Sequence, residues 1–243
     1  MTCADEMLEE NKRRIDERLD AGLALLREHY AVTECAIDPA FERPNVGGRP
    51  NRVRRFDIEG VGNLLAMTAK DVEENQLSTF VVMPYYKNLP LFSTDYVYNG
   101  DKRFFLIEVY DLSVYHDDAW QQGIDAFAAS ANAWDDMPEF PTQPRWYDDI
   151  RPVCIAKAPS REQDDVSLKR FLETLGLFVN MEKAAPLLSD EDRARKWQIN
   201  KSYSDGLIDE GGVSTDLWTA ALGVENVRRF FDEVFFGPAC YRP

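Results

Sequence analysis

Histidine is nearly missing from this chain: among 243 residues there are two, His29 and His116. Four cysteines, Cys3, Cys35, Cys154 and Cys240, stand far apart without ligand-like spacing. Zinc, iron–sulfur and haem-attachment sites need clustered Cys and His, so no metal site is expected. Cations are also in deficit. The 28 Lys and Arg face 43 Asp and Glu, a net charge of −15. Nucleic acids and anionic membranes bind clustered cations, so neither partner is expected. No apolar run approaches the ~20 residues that span a bilayer. Residues 1–20 are charged and amphipathic, with no apolar signal core. The expected location is the cytoplasm, or a plastid stroma if a transit peptide has been removed. GxGxxG, P-loop and GxSxG motifs are all missing. The chain therefore points to no built-in cofactor; enzyme chemistry would rest on carboxylates and a bound substrate.

What is present is enough to build a core: 44% hydrophobic residues, with 14 Phe, 10 Tyr and 5 Trp, which excludes global disorder. Leu8, Ile15, Leu19, Leu23, Leu26 and Tyr30 recur at three- to four-residue steps and predict a first helix, with Asp5 and Glu6 in its dipole-favoured first turn. From about Arg52 to Leu112 the pattern turns to strands, among them 79–83, 91–98 and 102–112, with Asn99-Gly100 as a hairpin turn. Helical spacing returns over 117–133 and 166–181, on either side of a Pro-rich loop and a short strand at 153–156. Ser189 with Asp192 resembles a capping box opening another helix. A loop is expected over 205–212, then a last helix ending near Phe236. Strands bracketed by helices, without repeats or a separating linker, predict one α+β domain over 1–243: a three-layer α/β/α sandwich with a central antiparallel sheet.

Four segments carry a family likeness. Leu89-Pro90-Leu91-Phe92-Ser93-Thr94-Asp95 follows a strand ending Val82-Met83-Pro84. Tyr110-Asp111-Leu112-Ser113 comes next, with Val114 in place of a proline. Arg145-Trp146-Tyr147-Asp148-Asp149-Ile150 precedes Cys154 and Pro159-Ser160. Leu222-Gly223 precedes Phe230, Val234, Phe235 and Phe236. In this order, over roughly residues 50–237, they resemble the ferredoxin-dependent bilin reductases. The resemblance implies an α/β/α sandwich that holds a linear tetrapyrrole, usually biliverdin IXα, between the sheet and the C-terminal helices. It implies no bound metal or flavin. Reduced ferredoxin or flavodoxin supplies single electrons from outside, the bilin carries the radical, and carboxylic acids supply protons. A monomer is expected.

Asp95 is the candidate proton donor. An acid beside an apolar ring system is kept protonated by its loss of hydration. Its alternation with Phe92 and Val97 leaves its face open, and a solvent-facing carboxylate is the plain alternative. Asp205 is the candidate second acid, with Asp209 as runner-up. Thr79 and Met67 are candidate substrate contacts; they stand where the phycocyanobilin-forming members of the family carry His and Glu. The family's Arg before Pro-Ser is Ala158 here, so Lys157 and Arg151 are the candidates for holding propionates. A basic island of Arg43, Arg49, Arg52, Arg54 and Arg55 is the candidate ferredoxin face, with a solvated strand face as its alternative. Two other readings remain: an enzyme like the red chlorophyll catabolite reductases, and a tetrapyrrole-binding protein without catalysis.

Overall fold

The computed structural model describes residues 3–237, with side chains from residue 5 onward, so Cys240 and the side chain of Cys3 lie outside it. The chain opens with α1 (Cys3–Arg27), then β1 (Val32–Cys35), the short α2 (Pro39–Glu42) and a small hairpin, β2 (Asn45–Val46) with β3 (Arg49–Pro50). Five long strands follow: β4 (Arg52–Ile58), β5 (Gly62–Ala69), β6 (Gln76–Pro84), β7 (Leu91–Asn99) and β8 (Lys102–Tyr110). Then come α3 (Asp118–Ser130), a tight turn at Trp146–Ile150, β9 (Val153–Lys157), α4 (Asp164–Ala184), α5 (Asp190–Asp209), α6 (Thr215–Leu222) and α7 (Val224–Phe230). A wide π-type turn, Phe231–Phe235, extends α7.

Seven strands form one sheet in the order β1-β4-β5-β6-β7-β8-β9, antiparallel throughout. The expected sandwich is what forms. On one face, Phe56, Leu64, Phe80, Phe92, Phe105 and Ile107 pack against α1, α3 and α4. On the other, Val53, Leu65, Val81, Met83 and Leu91 pack against α5, α6 and α7. Every residue of β5 is buried, as a strand covered on both faces must be. Ile15, Leu19, Leu23 and Leu26 form the buried stripe of α1. Gly22 lets that helix approach closely: a Cβ there would meet Phe171 and Phe80 at 3.1 Å.

Two expectations about the C-terminal third need correction. The loop expected over 205–212 is helix as far as Asp209, so Asp205 sits within α5. Ser204, Asp205, Leu207 and Ile208 continue a helix that the polar sequence Asp205-Gly206 hid. The single last helix is two, broken at Gly223, whose φ of +79° a residue with a side chain rarely adopts. The serine cap is as read: the Ser189 hydroxyl accepts from the Asp192 amide at 3.1 Å.

Candidate active site

Antiparallel pairing places Met67 opposite Thr79 and Thr79 opposite Asp95, so the three form one cross-strand row over β5, β6 and β7. The row continues through Leu106 on β8 to Ala156 on β9. It lies on the face covered by α5–α7, which answers the question that the alternation of Asp95 left open. Met67 and Thr79 are buried, whereas Asp95, Val97 and Leu106 are only half-buried. The C-terminal helices therefore leave part of the floor accessible beside the carboxyl.

The Thr79 hydroxyl donates to Asp95 Oδ1 at 2.5 Å. Surrounding protein pushes the Asp95 carboxyl up to about 6; the Thr79 hydrogen bond works against this shift, and the negative charge of Glu108 adds to it. An acid of that strength is partly protonated near neutrality and can deliver the proton.

Glu108 was not singled out from sequence. It occupies the next row, opposite Ser93 and Cys154. Arg151 reaches it from the turn before β9 and also bonds Asp148 at 2.6 Å. Tyr110, Tyr147 and Tyr203 wall this end of the site, with Tyr110 ring centroids 5.7 Å from Tyr147 and 5.2 Å from Tyr203. Burial raises all three phenols, so they stay protonated. Cys154 is exposed at the edge of the sheet, yet lost hydration and the neighbouring Glu108 charge push its thiol up to about 11, so it is protonated near neutrality.

The four segments behind the family likeness meet here. Lys196 of α5, buried in the helix layer, donates to the carbonyls of Leu89 and Leu112, each at 2.6 Å, and so joins the first two. Burial pushes its ammonium down to about 7, opposed by the Asp111 carboxylate. Trp146 Nε1 donates to the Gly211 carbonyl at 2.9 Å, and its ring lies on Gly206, where a Cβ would come within 2.6 Å. Tyr203 meets Phe236 at 5.7 Å, completing the set. No sequence signal marks Lys196, since a lysine in a polar helix normally reads as exposed.

Other candidates lie elsewhere. Lys157 is on the opposite face of the sheet, in an ion pair with Glu139. Asp205 is clamped by Lys201 at 2.8 Å and Arg228 at 2.5 Å, linking α5 to α7, and Asp209 pairs with the same arginine at 3.1 Å. The arginine island is divided by strand alternation. Arg52 and Arg54 point to the α1 side, where Arg54 is held bidentately by Glu34 at 2.8 and 2.7 Å. Arg55 is buried under the C-terminal turn and donates to Asn63 Oδ1 at 2.7 Å. Arg43 and Arg52 are exposed and Arg49 is half-buried. Two surface hollows, about 430 Å³ between α1 and α4 and about 300 Å³ beside Glu34, Arg43 and Arg52, do not include the row. Among the described residues, no three His, Cys, Asp or Glu converge as a metal-ligand set, and no helix is long and apolar enough to cross a membrane.

Seven antiparallel strands between two helical layers make the fold of the bilin reductases. A solved example is the selenomethionine phytochromobilin synthase from tomato in complex with biliverdin, which matches with a TM-score of 0.75. The match covers 91% of this chain and 82% of that one, at 10% sequence identity. No protein-family model matches the chain, and no curated protein matches it by sequence.

Proposed function

We propose that this chain binds a linear tetrapyrrole of the biliverdin type between the sheet and α5–α7, and reduces it with electrons from outside. Reduced ferredoxin or flavodoxin delivers them singly. Two electrons and two protons saturate one double bond, and Asp95 supplies one of those protons. The observation that carries the reading is Asp95 itself: a carboxyl raised to about 6 on an accessible stretch of floor, beside half-buried Val97 and Leu106. The shared fold with a synthase solved in complex with biliverdin supports the choice of substrate. Protonating the bilin first lowers the cost of adding an electron, because the charge added is then neutralised. The half-buried ring of Trp146, backed by the buried Tyr147 and Tyr203, offers a flat, apolar surface to a pyrrole ring.

The test is an anaerobic mixture of protein, biliverdin and enzymatically reduced ferredoxin, followed by absorbance and product chromatography. Biliverdin should be consumed and a reduced bilin released. A second reading, a binder without catalysis, draws on Thr79 and Met67, neither of which exchanges protons near neutrality. In that case the coloured complex forms and persists under reduction.

A further inference from the structure

Asp95 does not face its proton alone. From β6 it meets Thr79, and from β8 the charge of Glu108. Asp95 pairs with Leu106 and Ser93 with Glu108, so Glu108 is one diagonal step from Asp95 on the same face. Such neighbours are about 7 Å apart, close enough for charges to interact in a poorly hydrated site. Glu108 in turn is surrounded by Tyr110 on its own strand, Cys154 of β9, Tyr203 of α5, and Tyr147, Asp148 and Arg151 of the turn. The tyrosines and the thiol are neutral near pH 7, as their raised proton affinities require. The charged groups nearest Glu108 are therefore Asp148 and Arg151, with Arg145 further out beside Tyr147 and Glu139 beside Cys154, and the Arg151 and Glu108 side chains are only 9% and 12% exposed.

We propose that the Glu108–Arg151 pair is the charge regulator of Asp95. Glu108 places a negative field beside the donor, and Arg151 limits how much of that field the donor feels. Both are positioning residues that act through Asp95. The pair's catalytic meaning rests on the reading of Asp95 as a bilin proton donor, but the protonation of Asp95 can be followed without any ligand.

The experiment is an infrared pH titration of the full-length protein. The acid carbonyl band of Asp95 is isolated by subtracting the matching Asp95→Asn protein, in the parent, Glu108→Gln, Arg151→Gln and Arg151→Lys backgrounds. Glu108→Gln should lower the Asp95 midpoint by about one pH unit. Arg151→Gln should raise it, and Arg151→Lys should restore the parent value. A folded Glu108→Gln protein with an unmoved midpoint overturns the proposal, and this variant decides the matter even if Arg151→Gln fails to fold. Biliverdin titrations on the same proteins separate the two ideas. A midpoint that moves without biliverdin binding keeps the regulator and removes the bilin reading. Binding and turnover with an immobile midpoint does the reverse.

Discussion

Burial gives Asp95 a raised proton affinity, and this has consequences for both activity and folding. Asp95→Asn keeps shape and the Thr79 contact but cannot give up a proton at neutral pH. The variant should bind biliverdin and lose turnover by about 100-fold or more; parent-like turnover would make Asp95 structural. Folding is linked to the same proton. Below about pH 4 the group is protonated whether folded or not. Between about 4 and 6 the folded chain holds a proton that the unfolded chain has released, so stability falls as pH rises through that window. Above it the loss is complete. Urea denaturation should therefore find Asp95→Asn more stable than the parent by about 1–2 kcal/mol near pH 7.5, and equal to it near pH 4. A parent whose stability advantage grows toward neutrality would contradict the burial argument. Asp205 belongs to another category. Its carboxylate is a third exposed within an ion-pair cluster, and such pairs contribute about 1 kcal/mol or less.

Among the elements, two polar clamps hold the layers. On the α1–α4 side, the fully buried Arg103 of β8 donates to both Asp164 oxygens at 3.1 Å, to the Gly100 carbonyl at 2.9 Å and to Asn11 at 3.1 Å. Tyr96 adds a bond to Asp164 at 3.2 Å. One network thus joins α1, the β7–β8 hairpin and α4. Asp164→Ala leaves the guanidinium buried and unpaired and should cost about 3–5 kcal/mol in chemical denaturation. On the other side, Asn63 of β5 donates to the carbonyls of Val234 at 3.1 Å and Phe235 at 3.0 Å, with Arg55 bonded to its oxygen. These bonds hold the π-type turn, whose carbonyls an ordinary helix end would leave unpaired. Asn63→Leu should release the turn and speed proteolytic cleavage near residues 231–237; an unchanged cleavage rate would show that aromatic packing alone holds it.

At the scale of the whole molecule, charge governs any encounter with an acidic electron donor. The net charge is −15. The basic island does not oppose it as one face, because Arg54 is paired and Arg55 is buried. Repulsion should therefore dominate the approach, and salt should weaken it, since the Debye length shrinks to about 8 Å at physiological ionic strength. Bilin reduction by a limiting amount of ferredoxin should run faster at about 0.15 M salt than at about 0.01 M. A rate that falls with salt would mean that Arg43, Arg49 and Arg52 form an effective local docking face.

Local pattern was enough to determine the sandwich, a tight hairpin between β7 and β8, the apolar stripe of α1 and the serine cap of α5, although the turn itself is Gly100-Asp101, one residue later than expected, because Asn99 still pairs with Lys102. Each depends on periodicity or on a short backbone preference, which is written in consecutive residues. The face of Asp95 was not legible in this way, because Phe92, Asp95 and Val97 do not alternate cleanly. Only the pairing of β5, β6, β7 and β8 brought Met67, Thr79 and Asp95 into one row, with Glu108 diagonal to Asp95. The arginines of 49–55 read as one cluster in sequence, yet strand alternation sends Arg54 and Arg55 to opposite faces, one to Glu34 and one to Asn63. Lys196, Arg151 and Asn63 act across separations of tens of residues or more. Their roles depend on which backbone groups and charges the fold brings to them, and that information exists only once the sheet and the helices have packed.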